Sequence, residues 1–171
     1  MGSMKSLAAI SATVAALGVS LPLTGGTPVA QAGACVPAPI HRGAPPSWSR
    51  AAWSDSPGLR LPYAVASGDS AAAFLWVTLR AGDPSNPANK VLWVTRYPRN
   101  HSPLRISARW GRDPSVTTHS LWPADSSPGE IYPSYINLPR AGCWQLTLRW
   151  NGHVASMNLY IAPKDSPARR A

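Results

Sequence analysis

The sequence predicts an all-β protein, an antiparallel immunoglobulin-like β-sandwich of about seven short strands that follows a signal peptide. Three observations predict this fold. Residues 144–161 alternate apolar and polar side chains around Asn151-Gly152, and this dipeptide is the strongest short hairpin signal because a type I′ turn needs two positive φ angles. Loops rich in proline and glycine separate the other short apolar runs, as in sandwich domains. No helical periodicity of useful length follows residue 32.

Residues 1–32 have the features of a secretory signal peptide. Lys5 supplies the positive start, residues 7–23 form an uncharged apolar run, and Ala30-Gln31-Ala32 is a cleavage site. An uncleaved membrane anchor is the alternative, but prolines and glycines interrupt the run too early for a span of about 20 apolar residues. Lipid attachment at Cys35 is a further alternative, and the leucine expected three residues before such a cysteine is absent. The sequence therefore predicts a secreted protein with no transmembrane span after cleavage, with association to the cell envelope left open.

The remaining chain divides by composition into a segment, a domain and a tail. Residues 33–62 are rich in proline and form an N-terminal segment tethered by Cys35, residues 63–162 form the β-sandwich, and residues 163–171 form a flexible basic tail. Before the hairpin we predict strands at 71–80, 91–97, 104–110 and 135–138. Residues 111–133 are predicted to be a long polar connection, which in a compact domain is usually functional or mobile.

The hairpin is predicted down to its register. A two-residue turn places the apolar positions of its two strands opposite one another. The predicted pairs are Trp150 with His153, Leu148 with Ala155, Leu146 with Met157, and Trp144 with Leu159. One face of the hairpin is therefore apolar and the other polar.

Two cysteines in an exported chain predict one disulfide, because the compartment is oxidising. The only intramolecular pairing is Cys35 with Cys143. It closes a loop of about 100 residues, for which chain entropy allows at most about 4–5 kcal/mol. Free thiols, lipidation and an intermolecular bridge are the alternatives.

The approach to this hairpin, from Pro133-Ser134 through Pro139 to Gly142-Cys143-Trp144, resembles the C-terminal signature of an uncharacterised group of small secreted bacterial domains. Members of this group also carry a cysteine near the mature N-terminus, matched here by Cys35. Two later strands of the group contain a Leu-Trp pair and a Lys-Leu-Trp-like motif, which match residues 75–76 and 90–93. The resemblance implies a β-sandwich and a disulfide, and it brings no catalytic residues.

The charge balance points to an anionic partner. The chain contains 16 Lys and Arg against 7 Asp and Glu, and such an excess favours contact with polyanions, although solubility explains it equally well. Aromatic residues lie close in sequence to the arginines, and together the two residue types can hold an anionic glycan or wall polymer. The candidate polyanion-binding residues are Arg96, Arg99, Arg105, Arg109 and Arg112. The alternative is a solvated face with buried rings.

Patterns for catalysis and for metals are weak. Gly68-Asp69-Ser70 resembles the tripeptide around an esterase nucleophile, but no matching Asp-x-x-His block follows, which favours an ordinary turn. His153 and Met157 share a strand face, and such a pair can bind copper, yet methionine on that face fills core space. We therefore predict no cofactor and no metal.

The function that fits these features best is a secreted, disulfide-linked, non-catalytic interaction module at the cell envelope, with an anionic polymer or glycan as partner. A carbohydrate-binding module that uses exposed Trp and Tyr is the second hypothesis. An enzyme with a site assembled from loop residues that no motif exposes is the third, and a deep polar cleft with perturbed titratable groups would favour it. Export argues against nucleic acid as the ligand.

Overall fold

The computed structural model describes residues 35–49, 61–82, 89–111, 113–124 and 129–165. The predicted signal peptide and the candidate residue Arg112 lie outside these ranges. The described residues contain eight strands. They are β1 (Tyr63–Val65), β2 (Ala71–Leu75), β3 (Lys90–Thr95), β4 (Leu104–Trp110), β5 (Asp113–Trp122), β6 (Ile131–Tyr135), β7 (Gly142–Trp150) and β8 (His153–Ile161).

These strands form two four-stranded sheets, in the orders β1-β2-β3-β6 and β5-β4-β7-β8. Every strand pairing is antiparallel. The inward side chains of both sheets contribute to one apolar cluster. The predicted antiparallel β-sandwich is therefore confirmed, with eight strands in the described residues instead of about seven.

Tryptophans fill the space between the sheets. Trp93, Trp144 and Trp150 are among the largest fully buried side chains. Each indole N–H donates to an oxygen: Ser134 Oγ at 2.8 Å, the Arg140 carbonyl at 2.8 Å and the Tyr97 carbonyl at 3.2 Å, respectively. Because a buried N–H without an acceptor is costly, these bonds let the rings occupy the core at little polar cost.

The outer face of the first sheet is also covered. A second apolar cluster on that face joins side chains of β1, β2 and β3 to Trp48 of the N-terminal segment. Burial on both faces accounts for the continuous apolar runs of β2 and β3, in contrast to the alternation of β7 and β8. The outer face of the second sheet carries the alternating polar residues.

The N-terminal segment joins the two sheets along one side. The disulfide between Cys35 and Cys143 ties its start to β7. The Ala38 N–H then donates to the Asn158 carbonyl of β8, and His41 exchanges two backbone hydrogen bonds with Tyr63 of β1. The predicted disulfide is confirmed.

The hairpin has the predicted register throughout, with Asn151 and Gly152 at φ 39° and 77°. The prediction of a loop over residues 111–133 is wrong, because these residues contain β5 and the start of β6. Strand β5 was not recognised because it lies at the edge of its sheet and lacks a clear apolar alternation. Thr118 and Ser120 point into the sandwich, whereas Leu121 points outward and is exposed. The strand predicted at 135–138 is displaced, since β6 ends at Tyr135.

Strand β6 contains Pro133, which a central strand would not tolerate, but β6 lies at the edge of the first sheet. Strand β1 has only three residues and was not predicted. Gly68 and Asp69 lie in a short 3-10 turn, as the turn interpretation of that tripeptide expects. Within the described residues, no helix is long and apolar enough to cross a membrane.

Candidate anion-binding face

The outer face of the second sheet is the candidate site, and we call it the open face. The pairings of β5, β4, β7 and β8 arrange its outward side chains in three rows across the sheet. The rows are Leu121–Arg105–Arg149–Val154, His119–Ser107–Thr147–Ser156 and Thr117–Arg109–Gln145–Asn158. Neighbouring rows are about 7 Å apart, because outward side chains recur every second residue. These twelve residues include three arginines and no carboxylate.

Arg105 and Arg149 stand directly opposite each other on β4 and β7. Opposed residues in an antiparallel pair have Cβ atoms about 5 Å apart, and like charges at that separation destabilise the sheet. Within the described ranges, neither guanidinium has a hydrogen-bond or ion-pair partner. The centre of the row Leu121–Arg105–Arg149–Val154 is therefore a site of uncompensated positive charge.

Apolar side chains flank this arginine pair. Leu121 on β5 is 55% exposed and Val154 on β8 is 53% exposed. Both lie in the same row as Arg105 and Arg149, one at each edge of the sheet. The row therefore places apolar surface on both sides of the charged pair.

A hydroxyl and an imidazole lie in the next row. Ser107 Oγ is 3.0 Å from His119 Nδ1. Ser107 follows Arg105 on the same face of β4, and His119 lies diagonally across from Arg105 on β5. A depression of about 340 Å³ between these groups is also lined by Arg149. Ile106 and Ser120 complete its floor. Charged and neutral hydrogen-bonding groups thus share one concavity.

The turn between β7 and β8 holds one end of the open face in place. The Asn151 N–H donates to Ser102 Oγ at 2.9 Å, and the Asn151 side-chain amide donates to the Pro98 carbonyl at 2.9 Å. The His153 ring stacks on Tyr97, with ring centroids 4.7 Å apart. These contacts anchor the hairpin end that carries Arg149.

The predicted arginines divide between the open face and other parts of the sandwich. Arg105 and Arg109 lie on the open face, but Arg96 pairs with Asp69 at 3.0 Å. Arg99 donates to the Ile131 carbonyl at 2.6 Å, and its guanidinium lies 5.5 Å from the centre of the Tyr132 ring.

Arg99 packs against the buried side chain of Tyr132. The Tyr132 hydroxyl donates to the Ser102 carbonyl at 2.8 Å. Burial raises the pKa of Tyr132 to about 12, with Arg99 opposing the shift and Glu130 adding to it. Arg99 therefore packs against the body of the sandwich instead of facing an open surface.

Arg149 belongs to the open face but was absent from the sequence-based candidates. The alternation of Gln145, Thr147 and Arg149 along the strand indicated that its side chain points outward. Its neighbour was not visible, because the pairing of β4 with β7 joins residues distant in the chain. The strand order therefore supplies the information that the sequence lacked.

A second concavity lies at the disulfide end of the same sheet. This cleft of about 620 Å³ is lined by Cys35, Pro37, Trp110, Gly111, Ala141, Gly142, Cys143 and Tyr160. Tyr160 is 56% exposed, and the Arg140 guanidinium lies 5.2 Å from the centre of the Trp110 ring. The Trp110 N–H donates to the Ala141 carbonyl at 3.1 Å, which fixes the ring as the end wall of the cleft.

Comparison of the chain with protein-family models, with curated proteins and with solved structures finds no match. The assignment of function therefore depends on the chemistry of the open face and of the cleft.

Proposed function

We propose that this protein is an exported, non-catalytic interaction module that binds an anionic polymer of the cell envelope through the open face. The observation that carries the proposal is the opposed pair Arg105 and Arg149, which has no compensating carboxylate on the face. Arg109 follows Arg105 by four residues on the same strand, about 13 Å further along the sheet.

An anion bound between opposed guanidiniums converts a repulsive contact into two attractive ones. Arginine suits this role because its planar group donates several parallel hydrogen bonds to an oxyanion. The positions of the arginines, spread along one sheet face, match a polymer with repeated charges better than a small ligand. Several weak contacts along a chain add up through multivalency.

Export is the second part of the proposal. The Cys35–Cys143 disulfide is typical of an oxidising compartment, and the predicted signal peptide at residues 1–32 points to the same destination. In an exported protein the available polyanions are envelope polymers and acidic glycans. We therefore place the partner at the cell envelope.

The test is binding to dextran sulfate, with uncharged dextran as the control ligand. Replacing both Arg105 and Arg149 with Ala should weaken binding about a hundredfold, since each charged hydrogen-bonding group contributes about 1.5 kcal/mol. Arg42→Ala removes the same kind of charge from an exposed position off the face and should change affinity little. Equal losses in the double variant and the Arg42 variant would refute the assignment.

A second candidate function is binding of a neutral glycan in the cleft beside the disulfide. Tyr160 and Trp110 supply aromatic surface there, and sugar rings pack on such surface. Binding at this cleft would be insensitive to salt and would be lost in Tyr160→Ala. Salt-insensitive binding of dextran would favour this candidate over the open face.

A further inference from the structure

We infer that the depression beside Arg105 and Arg149 is a subsite for a tetrahedral oxyanion, a sulfate or phosphate ester group, rather than for a carboxylate. The inference rests on the proposed function and specifies the chemical group that the polymer carries. Its basis is the combination of two opposed guanidiniums with the Ser107–His119 pair around one concavity of about 340 Å³.

The number of donors selects the ligand. A carboxylate has two oxygens in one plane, and one guanidinium can bind both of them through parallel hydrogen bonds. A sulfate or phosphate ester presents three oxygens in different directions, so two guanidiniums can bind it at once. The opposed arrangement of Arg105 and Arg149 therefore suits the tetrahedral group.

The Ser107–His119 pair supplies a further donor in either tautomer. When the Ser107 hydroxyl donates to His119 Nδ1, the Nε2–H of the same ring remains able to donate to a ligand. When Nδ1–H donates to Ser107 Oγ instead, the hydroxyl hydrogen remains able to donate. In either case one N–H or O–H of this pair remains able to bind a ligand together with the two arginines. Arg105, Arg149, Ser107 and His119 all line the depression.

The two kinds of donor are close enough to serve one group. Ser107 follows Arg105 by two residues on the same face of β4, which is about 7 Å along the strand. Arginine side chains are long enough to cover this distance, and Arg149 reaches the same depression from β7. Arg109 lies on the open face but does not line this depression.

The experiment compares dextran sulfate with carboxymethyl dextran of equal charge density, so that only the anionic group differs. We expect the wild-type protein to bind the sulfated polymer about tenfold more tightly, as one additional charged hydrogen bond of about 1.5 kcal/mol would give. Replacing both Arg105 and Arg149 with Lys keeps the charge but removes the planar donor pairs. This variant should lose the preference for sulfate to within about twofold, whereas Arg42→Lys, at an exposed position off the open face, should keep it.

A preference for sulfate that survives in the double Lys variant would overturn the subsite, even if both polymers bind. Ser107→Ala provides a smaller test and should weaken only the sulfated polymer, by about threefold. Failure of the proposed function has a different signature, in which replacing Arg105 and Arg149 with Ala leaves binding of both polymers unchanged. Tighter binding to phosphatidylglycerol vesicles than to either polymer would overturn the assignment to a polymer.

Discussion

Reversing one charge of the opposed pair should make the protein more stable while it abolishes binding. In Arg149→Glu, the repulsion between residues 149 and 105 becomes an attraction across the same antiparallel pair. Two unit charges about 6 Å apart in water interact by about 0.7 kcal/mol, and reversal of the sign changes the energy by twice that amount. Screening in 0.1 M salt reduces the gain to about 1 kcal/mol, as measured cross-strand ion pairs suggest.

The assay is urea unfolding of the wild type, Arg149→Gln and Arg149→Glu. Arg149→Gln removes the repulsion without adding an attraction, so the free energy of unfolding should rise in the order Arg, Gln, Glu. A gain of about 1 kcal/mol corresponds to a rise of about 3–5 °C in Tm for a domain of this size. The differences should shrink in 1 M salt.

The same Arg149→Glu variant should lose affinity for dextran sulfate by more than Arg149→Gln does. Such opposition between stability and binding is expected where a site is built from groups that repel one another. If Arg149→Glu is no more stable than Arg149→Gln, the two guanidiniums are not close neighbours, and the reasoning for the open face fails.

Three further predictions concern the scaffold. Cys143→Ser should lower the free energy of unfolding by a few kcal/mol, up to about 4–5, because the disulfide closes a loop over a sequence separation of 108. An unchanged urea unfolding curve would contradict this. Gly152→Val should cost about 2 kcal/mol through its φ of 77° alone, since a Cβ there meets nothing within 4 Å, and Gln145→Thr is the control that should melt with the wild type. The raised pKa of Tyr132 favours the neutral phenol in the folded state, so the free energy of unfolding should fall as the pH rises from about 10 to about 12. Urea unfolding across this range should show a shallower fall in Tyr132→Phe than in the wild type. An equal fall in both proteins would show that a group other than Tyr132 causes the pH dependence.

The hairpin was fully predictable because all its determinants are local. The turn dipeptide fixes the loop, and the alternation on both sides fixes which residues face the core. The disulfide was predictable because the chain offers only one intramolecular pairing. Local residues determine the hairpin, and for the disulfide only the choice of intramolecular partner is fixed by the sequence.

Strand β5 and the arginine pair were not predictable for physical reasons. The inward positions of β5 include Thr118 and Ser120, so the strand has no apolar period that marks it. Arg105 and Arg149 become neighbours only through the pairing of β4 with β7. Arg96 and Arg99 lie close to Arg105 in sequence, but the chain crosses from the first sheet to the second between them. Proximity along the chain therefore grouped Arg96 and Arg99 with the arginines of the open face, and it missed Arg149.

The most direct test of the open face is the salt dependence of binding to dextran sulfate. For a polyanion ligand, the logarithm of the affinity falls linearly with the logarithm of salt concentration, with a slope set by the number of charges that the protein neutralises. The wild type should show a steep slope, and replacing both Arg105 and Arg149 with Ala should reduce it by about 2, whereas Arg42→Ala should leave it unchanged. An identical slope in the double variant and the wild type would show that the arginine pair does not contact the polymer.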